Sequence, residues 1–206
     1  MNLRPPGPRA RRSQLGPGSF YLAADSSDER SIFAKNRPYS PPGIGFKDSL
    51  SKSMPRHRCH LAIFADYHQF YVWDPERSGR QAPEDWSDQD VANRAKIIPG
   101  VVVICPVRNM TVPVEVGIWD SEPQVIFDAW QHVVEAPLAT RGLIEIHECT
   151  GGAHACFTVE PGDYTVRALY RGLDKLSEDG LEGEDFYEIQ IWKAQCPSLR
   201  IIRRWE

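Results

Sequence analysis

Short segments in which apolar and polar residues alternate run through the chain from about residue 60 onward. Alternation places every second side chain on the same face of a strand, so each segment predicts a strand with one buried face. The clearest alternation is in 186–192, Phe-Tyr-Glu-Ile-Gln-Ile-Trp. The segments predict about eight strands, at 60–66, 69–73, 100–105, 111–119, 143–147, 155–159, 164–170 and 186–192.

Several of these segments carry further information. The run 100–105, Gly-Val-Val-Val-Ile-Cys, is continuously apolar, which is typical of a strand buried on both faces. Pro113 interrupts 111–119 and has no amide proton, so it predicts a sheet edge or a bulge. The chain is predicted to bend near Asp66, and segment 129–136 is ambiguous between strand and helix.

One segment predicts a short helix. Ser87 is a suitable N-cap, and Asp88 and Asp90 follow in the first turn, where carboxylates stabilise a helix. The predicted helix would place Val91, Ala95 and Ile98 on one face. About eight strands and one short helix predict a mainly β protein, an antiparallel β-sandwich.

Charge divides the chain near residue 58. Residues 1–58 hold 11 Lys and Arg against four Asp and Glu, and also eight of the 17 prolines. A basic, Pro-rich stretch with few apolar residues predicts a disordered tail. The tail either is solvated and has no partner or contacts nucleic acid or an acidic membrane face. Because order is expected only shortly after Met54, residues 1–53 are also readable as an upstream extension of the reading frame.

The remaining 59–206 are predicted to form one acidic β-sandwich domain, with 13 Lys and Arg against 24 Asp and Glu. No apolar run approaches the roughly 18 residues that span a bilayer, and no secretory signal is readable. Five irregularly spaced cysteines do not predict a disulfide scaffold. We therefore expect a cytoplasmic protein with no membrane contact.

The densest group of metal-ligand side chains lies in 147–156. His147, Cys149, His154 and Cys156 form two i, i+2 pairs on strands that flank a Thr-Gly-Gly turn, and such pairs share a strand face. A hairpin that gathers all four would suit zinc, although the spacing matches no common zinc motif. The alternative is a hairpin with small buried cysteines and two ordinary histidines, and we expect no metal and no cofactor.

Signatures of catalysis are missing from the sequence. It contains no Gly-x-Ser-x-Gly, no phosphate-binding Gly-x-x-x-x-Gly-Lys and no His-Glu-x-x-His. His68 beside Asp66 is suited to acid–base chemistry but lacks an evident partner set. The sequence therefore predicts a protein that is not an enzyme.

Acidic residues concentrate in 174–188, which holds seven carboxylates against one lysine. A second acidic patch, 84–90, adds four more. Carboxylates interleaved with apolar side chains suit a basic protein partner, whereas nucleic acid itself would be repelled by residues 59–206. A solvated loop that serves only solubility is the alternative. The predicted partner-binding residues are Glu178, Asp179, Glu182, Glu184 and Asp185.

The chain contains three short motifs, whose residues are Tyr67, His68, Gln69 and Phe70, then Asp85 and Trp86, and then Arg108 and Asn109. In this order the motifs resemble the competence protein J family, which is known for inhibiting a bacterial DNA-entry nuclease. The resemblance is clearest over 60–120 and continues loosely to about 194. Compared with the small founding inhibitor, this chain has an N-terminal tail and a longer acidic loop. Its 108–116 and 176–181 segments resemble those of a set of uncharacterised bacterial relatives more closely.

The resemblance implies inhibitor activity without assigning inhibitory residues. Among the motif residues we predict that Tyr67, Phe70 and Trp86 are packing residues, as large aromatics usually are. Two functions remain open. The first is a non-catalytic acidic inhibitor that blocks a basic nuclease by charge and shape mimicry, and the alternative is a small-molecule or metal-binding β-sandwich that uses the 147–156 hairpin.

Overall fold

Eleven strands, rather than about eight, make up nearly half of residues 54–206, which are the residues that the computed structural model describes. The strands are β1 (His57–Phe64), β2 (Phe70–Trp73), β3 (Ala95–Ile98), β4 (Val101–Ile104), β5 (Thr111–Trp119), β6 (His132–Thr140), β7 (Leu143–Glu148), β8 (Ala153–Thr158), β9 (Gly162–Arg171), β10 (Phe186–Lys193) and β11 (Arg200–Arg203). Helices α1 (Pro75–Ser78) and α2 (Asp88–Asn93) and two single 3-10 turns connect them. The tail predicted for 1–58 lies almost entirely outside the described residues.

The strands form two sheets, as expected for a sandwich. One sheet has the order β1-β5-β10-β9-β6-β11, and the other has the order β3-β4-β2-β7-β8. All paired neighbours are antiparallel except β5 and β10, which run parallel. The prediction of a mainly β, antiparallel sandwich is confirmed.

Pro113 does not lie at a sheet edge, because β5 is flanked by β1 and β10. Its pairing with β10 begins one residue later, at Val114 opposite Tyr187. The missing amide proton of Pro113 is therefore tolerated at the beginning of an internal strand. Neither pairing of β5 shifts register there, so the prediction of a sheet edge or a bulge was wrong.

The core lies between the two sheets and follows the alternation read from the sequence. On β5, residues Val112, Val114, Val116 and Ile118 are all buried, with exposed or half-buried residues between them except at Gly117. Burial of each such side chain contributes about 1.5–3 kcal/mol. The inner faces of the sheets therefore supply most of the free energy that holds the sandwich together.

A second apolar cluster covers the outer face of the smaller sheet. Tyr71 and Trp73 of β2 stack with ring centroids 5.1 Å apart, against Val101 and Val103 of β4. Every residue of β4 is buried. The prediction that the continuous apolar run at 100–105 is buried on both faces is confirmed.

Helix α2 begins where the sequence indicates. The Ser87 hydroxyl accepts from the Asp90 amide, and the Asp90 carboxylate accepts from the Ser87 amide, which forms a capping box. The helix ends at Asn93 because Arg94 adopts a left-handed conformation with φ 51°. Ala95 and Ile98 consequently belong to β3, so the predicted helix face was wrong.

The ambiguous segment 129–136 is mainly strand. A 3-10 turn at Phe127–Ala129 precedes β6, which pairs with β9 over its whole length. None of the helices in residues 54–206 is long and apolar enough to cross a membrane.

Candidate functional site

One end of the sandwich gathers the motif residues and the acidic segment. Strands β1, β4 and β9 end there, and β2, β5 and β10 begin there, so the intervening loops meet at that end. Between them lies a mainly apolar groove of about 700 Å³, which we call the end groove. Its lining includes Tyr67, Gln69, Trp86, Val91, Val107 and Leu176.

The turn between β1 and β2 is conformationally strained. Tyr67 and His68 both have left-handed backbones, with φ 55° and 57°, a conformation that is uncommon for residues other than glycine. The Asp66 carboxylate holds the turn by accepting from the Tyr67 amide at 3.0 Å and from the Thr150 hydroxyl at 2.8 Å. Tyr67 is directed to solvent and is 70% exposed, so the prediction that it is a packing residue was wrong.

The Asp66 carboxylate is thus engaged by the turn itself and by Thr150. The structure records no hydrogen bond between Asp66 and His68. The acid–base pair considered from the sequence is not assembled in this turn.

Gln69 and Phe70 follow the turn and are both buried. Phe70 is fully buried in the core, as predicted. The Gln69 side chain donates through Nε2 to Cys149 Sγ at 3.4 Å, while Oε1 is buried with no hydrogen-bond partner among residues 54–206. A buried amide oxygen without a donor costs about 1–3 kcal/mol, and this one belongs to a residue that lines the groove.

Trp86 also lines the end groove and lies just before α2. It is 38% exposed, so the prediction that it is a packing residue was wrong. Lys96 Nζ lies 5.6 Å from the centre of its ring and 2.8 Å from Asp90 Oδ2. Hydrogen bonds from Lys96 and then from Ser87 lower the pKa of Asp90 to about 2. The Trp86 indole is therefore positioned by a cation rather than by core packing.

Arg108 connects the segment after β4 to the acidic segment. Its Nε donates to Asp185 Oδ1 at 2.5 Å, and its Nη1 donates to the Leu181 carbonyl at 3.1 Å. The Tyr187 hydroxyl donates to Asp185 Oδ2 at 2.7 Å, and burial, reinforced by the Asp185 charge, raises the pKa of Tyr187. Asp185 is 1% exposed, so the expectation that it contacts a partner was wrong.

The rest of the acidic segment forms a compact hairpin, which we call the acidic loop (174–184). Leu176 bridges to Gly183, and the Ser177 amide donates to the Glu182 carbonyl at 2.9 Å. Asp179 accepts from Ser177 and from the Leu181 amide, which lowers its pKa. The four predicted partner-binding residues within the loop are all exposed: Glu178, Asp179, Glu182 and Glu184.

Asn109 is exposed next to Arg108, and Asp85 is exposed next to Trp86. The second acidic patch therefore lies on the Trp86 side of the end groove, and the acidic loop contributes Leu176 to the groove itself. Cys105 also lines the groove, and burial raises the pKa of its thiol to about 12. A thiol that stays protonated at neutral pH is a poor nucleophile.

The candidate metal ligands point to different neighbours. The His147 ring packs on Trp73 with centroids 4.4 Å apart, and its Nδ1 is 2.6 Å from the Glu148 carbonyl. Cys149 follows the end of β7 and accepts hydrogen bonds from Gln69 and from the Tyr71 hydroxyl. Both side chains are thus engaged within the protein.

His154 and Cys156 are also separated. His154 Nε2 lies 2.7 Å from Glu148 Oε1, at a register shift between β7 and β8. Cys156 lies opposite Glu145 in the same pair of strands. No three His, Cys, Asp or Glu side chains in residues 54–206 are arranged to hold a metal ion. The four-ligand zinc hairpin considered from the sequence is therefore not formed.

Sequence reasoning missed several contributors to the end groove, among them Val91, Val107 and Trp205. Val91 is 64% exposed although it lies on a short helix, and this exposure is not visible in the local pattern. Trp205 lies near the chain end, where its ring packs under Arg94 at 4.7 Å. Neither residue belongs to a motif, and only the tertiary arrangement brings them to the site.

No protein-family model matches the chain, and no curated protein matches it. Among solved structures, the chain is similar to ComJ, inhibitor of the DNA degrading activity of NucA, from Bacillus subtilis, with a TM-score of 0.52 and 19% sequence identity over 69% of this chain and 98% of that one. It also matches the structure titled Crocagin biosynthetic gene J, with a TM-score of 0.41 and 13% identity over 67% of this chain and 96% of that one. The first similarity shows that the chain has a ComJ-like fold.

Proposed function

We propose that this chain is a non-catalytic binding protein that inhibits a nuclease by covering its basic nucleic-acid-binding surface with the acidic end of the sandwich. The fold supports the proposal, since ComJ, a protein of similar fold, is an inhibitor of the DNA degrading activity of NucA. This chain would occupy the surface of the nuclease that DNA uses, so inhibition requires complementary charge and shape but no reactive group.

The observation that carries the proposal is the anchoring of the acidic loop. Arg108 is 7% exposed. It binds Asp185, the residue directly after the acidic loop, and the Leu181 carbonyl within the loop. The exposed carboxylates of Glu178 and Glu182 are therefore held on a fixed hairpin. A preorganised surface loses less conformational entropy on binding than a flexible acidic tail would lose.

The charge pattern also favours a basic protein partner. None of the described residues forms an ion pair with Glu178 or Glu182, whereas Glu184 pairs with Lys175 at 2.8 Å. Carboxylates on a rim steer association with a positively charged surface, and salt screens this attraction. An acidic face repels nucleic acid, so the partner is the nuclease and not its substrate.

The test is affinity capture from the host lysate with the full chain at low salt, followed by a DNA-degradation assay. We expect the captured fraction to degrade DNA after elution at high salt and to be inhibited when the chain is added back. The test variant carries Glu178→Gln, Asp179→Asn, Glu182→Gln and Glu184→Gln. This variant should keep its melting temperature and capture less nuclease, and its capture should depend much less on the salt concentration.

A matched control neutralises four exposed carboxylates at the other end of the sandwich, at Glu76, Asp120, Glu160 and Asp163. This control changes the net charge by the same amount and should leave capture and inhibition nearly unchanged. Equal losses in the two variants would show a general charge effect and contradict a specific acidic face. Captured material without DNA-degrading activity would contradict the nuclease proposal itself.

A further inference from the structure

We infer that the end groove is a pocket for one tryptophan side chain of a basic partner segment, whose indole N–H donates to Gln69 Oε1. This inference deepens the proposed function and rests on it for the partner's positive charge. The acidic loop would attract the segment, and the groove would hold its anchor residue.

The unpartnered oxygen of Gln69 is the first observation. The residue is 8% exposed, and its Nε2 is already used by Cys149, so Oε1 is left as a buried acceptor. A buried acceptor in a groove wall favours an occupant that brings a donor, because this oxygen has no hydrogen-bond partner among residues 54–206. This requirement selects a side chain with an N–H or O–H over a purely apolar one.

The strained turn is the second, independent observation. Two consecutive non-glycine residues, Tyr67 and His68, are held in left-handed conformations next to Gln69. Such strain costs free energy and is concentrated at ligand clamps and active sites. Here it presents the Tyr67 ring at the groove edge, where it supplies an aromatic wall.

The groove also exposes apolar surface that a folded protein ordinarily covers. Trp86 and Val91 from one side are 38% and 64% exposed, and Tyr67 from the other is 70% exposed. Exposed apolar patches surrounded by charge mark interaction sites. Tryptophan fits this environment because it combines a large apolar ring with one donor, and it is enriched among the residues that dominate binding energy at interfaces.

The charges around the groove indicate which residues should flank the tryptophan of the partner segment. Asp85 and Asp88 lie on either side of the Trp86–Ser87 pair, and Asp179 is on the loop that contributes Leu176 to the groove. The basic Arg94 in the groove lining packs over Trp205 at 4.7 Å. A segment with lysine or arginine on both sides of a tryptophan therefore matches the groove and its rim.

The test uses synthetic peptides and the full, isotope-labelled chain, followed by NMR. The probes are acetyl-Lys-Lys-X-Lys-Lys-amide, with X as tryptophan, 1-methyltryptophan, phenylalanine or alanine. We expect the tryptophan peptide to shift the Gln69 side-chain amide and the indole N–H signals of Trp86 and Trp205. Its affinity should exceed that of the alanine peptide by about tenfold or more, and that of the phenylalanine and 1-methyltryptophan peptides by about threefold to tenfold.

The matched variant is Gln69→Met, which keeps the side-chain length and removes the acceptor. It should bind the tryptophan and phenylalanine peptides with nearly equal affinity. Should this variant fail to fold, the 1-methyltryptophan peptide makes the same comparison on the unaltered chain, because it keeps the ring and removes the donor.

Equal affinity for the tryptophan and alanine peptides, or shifts confined to the acidic loop, would overturn the inference. Equal binding of the tryptophan and 1-methyltryptophan peptides would overturn the role of Gln69. The peptides require no nuclease, so the two proposals fail separately. A positive peptide result together with capture of no nuclease would overturn the proposed function and leave the pocket supported.

Discussion

Arg108 donates from Nε to Asp185 Oδ1 at 2.5 Å, and the two residues are 7% and 1% exposed. The pair joins the segment after β4 to the beginning of β10. It also links the motif that contains Arg108 to the acidic loop, which the sequence presents as a separate feature. The buried charge of one residue is compensated mainly by the other, and this dependence makes the pair a sensitive point of the fold.

Asp185→Asn should lower the free energy of unfolding by about 3 kcal/mol or more, because it leaves the buried Arg108 guanidinium without a compensating charge. Urea denaturation followed by tryptophan fluorescence measures the change. Glu184→Gln is the matched control, since its solvent-exposed pair with Lys175 should contribute little to stability. A loss of similar size in both variants would contradict the assignment of Asp185 as a structural residue.

Tyr67→Ala and Phe70→Ala should separate binding from packing within one motif. Phe70 is fully buried, so its truncation should cost about 3–5 kcal/mol of unfolding free energy. Tyr67 is 70% exposed, and its truncation should change stability by no more than about 0.5 kcal/mol. Calorimetric melting of both variants, together with nuclease capture by the Tyr67 variant, makes the comparison. A large loss of stability in Tyr67→Ala would show that the ring packs after all.

The sequence predicted the architecture because its signals are local. The alternation of apolar and polar residues identified the inner face of β5, which includes Val112 and Val114. The capping pattern identified Ser87 as the N-cap of α2. Exposure of Tyr67 and Trp86 was not predictable in the same way, because it depends on which loops meet at the end of the sandwich. A motif identifies an aromatic residue without indicating what covers it.

Asp185 is an instructive exception, since a signal for its burial was present. Asp185, Tyr187, Ile189 and Ile191 alternate inward along the beginning of β10, and all four are buried. Extending the alternation of β10 by two residues, from Tyr187 back to Asp185, would have placed the Asp185 carboxylate on the buried face of the strand. The density of neighbouring carboxylates obscured this pattern.

Asp90 should make the protein sensitive to acid. Hydrogen bonds from Lys96 and Ser87 lower its pKa to about 2, below the value near 4 expected in the unfolded chain. A carboxyl group with a lowered pKa contributes its stability fully above pH 4 and loses it as the pH falls toward 2. Because solvent screens this partly exposed pair, the contribution should be no more than about 1 kcal/mol.

Unfolding free energies of the unaltered chain and of Asp90→Asn, measured between pH 2 and pH 7, test this prediction. The difference between the two should shrink as the pH falls from about 4 to about 2. Asp88→Asn changes a neighbouring exposed carboxylate and serves as the control. A difference that is independent of pH would show that the ion pair with Lys96 contributes nothing through charge.

His132 should add a second pH dependence, at higher pH. Its Nε2 donates to the Asn93 carbonyl at 2.9 Å, and its Nδ1 accepts from the Trp205 amide at 3.3 Å, so both nitrogens of the neutral ring are used. Burial lowers the pKa of His132, and the nearby Arg94 and Arg204 lower it further. Protonation would replace the acceptor at Nδ1 by a donor that faces the Trp205 amide.

Since the folded state disfavours the protonated ring, stability should be complete above about pH 6.5 and should fall as the pH drops below that value. Melting temperatures between pH 5 and pH 8 measure the effect, and His132→Gln should remove this part of the dependence while lowering stability throughout. His60→Gln, at an exposed position, should leave the dependence intact. Because Trp205 lines the end groove, the indole signal of Trp205 should change over the same pH range, which connects His132 to the binding surface.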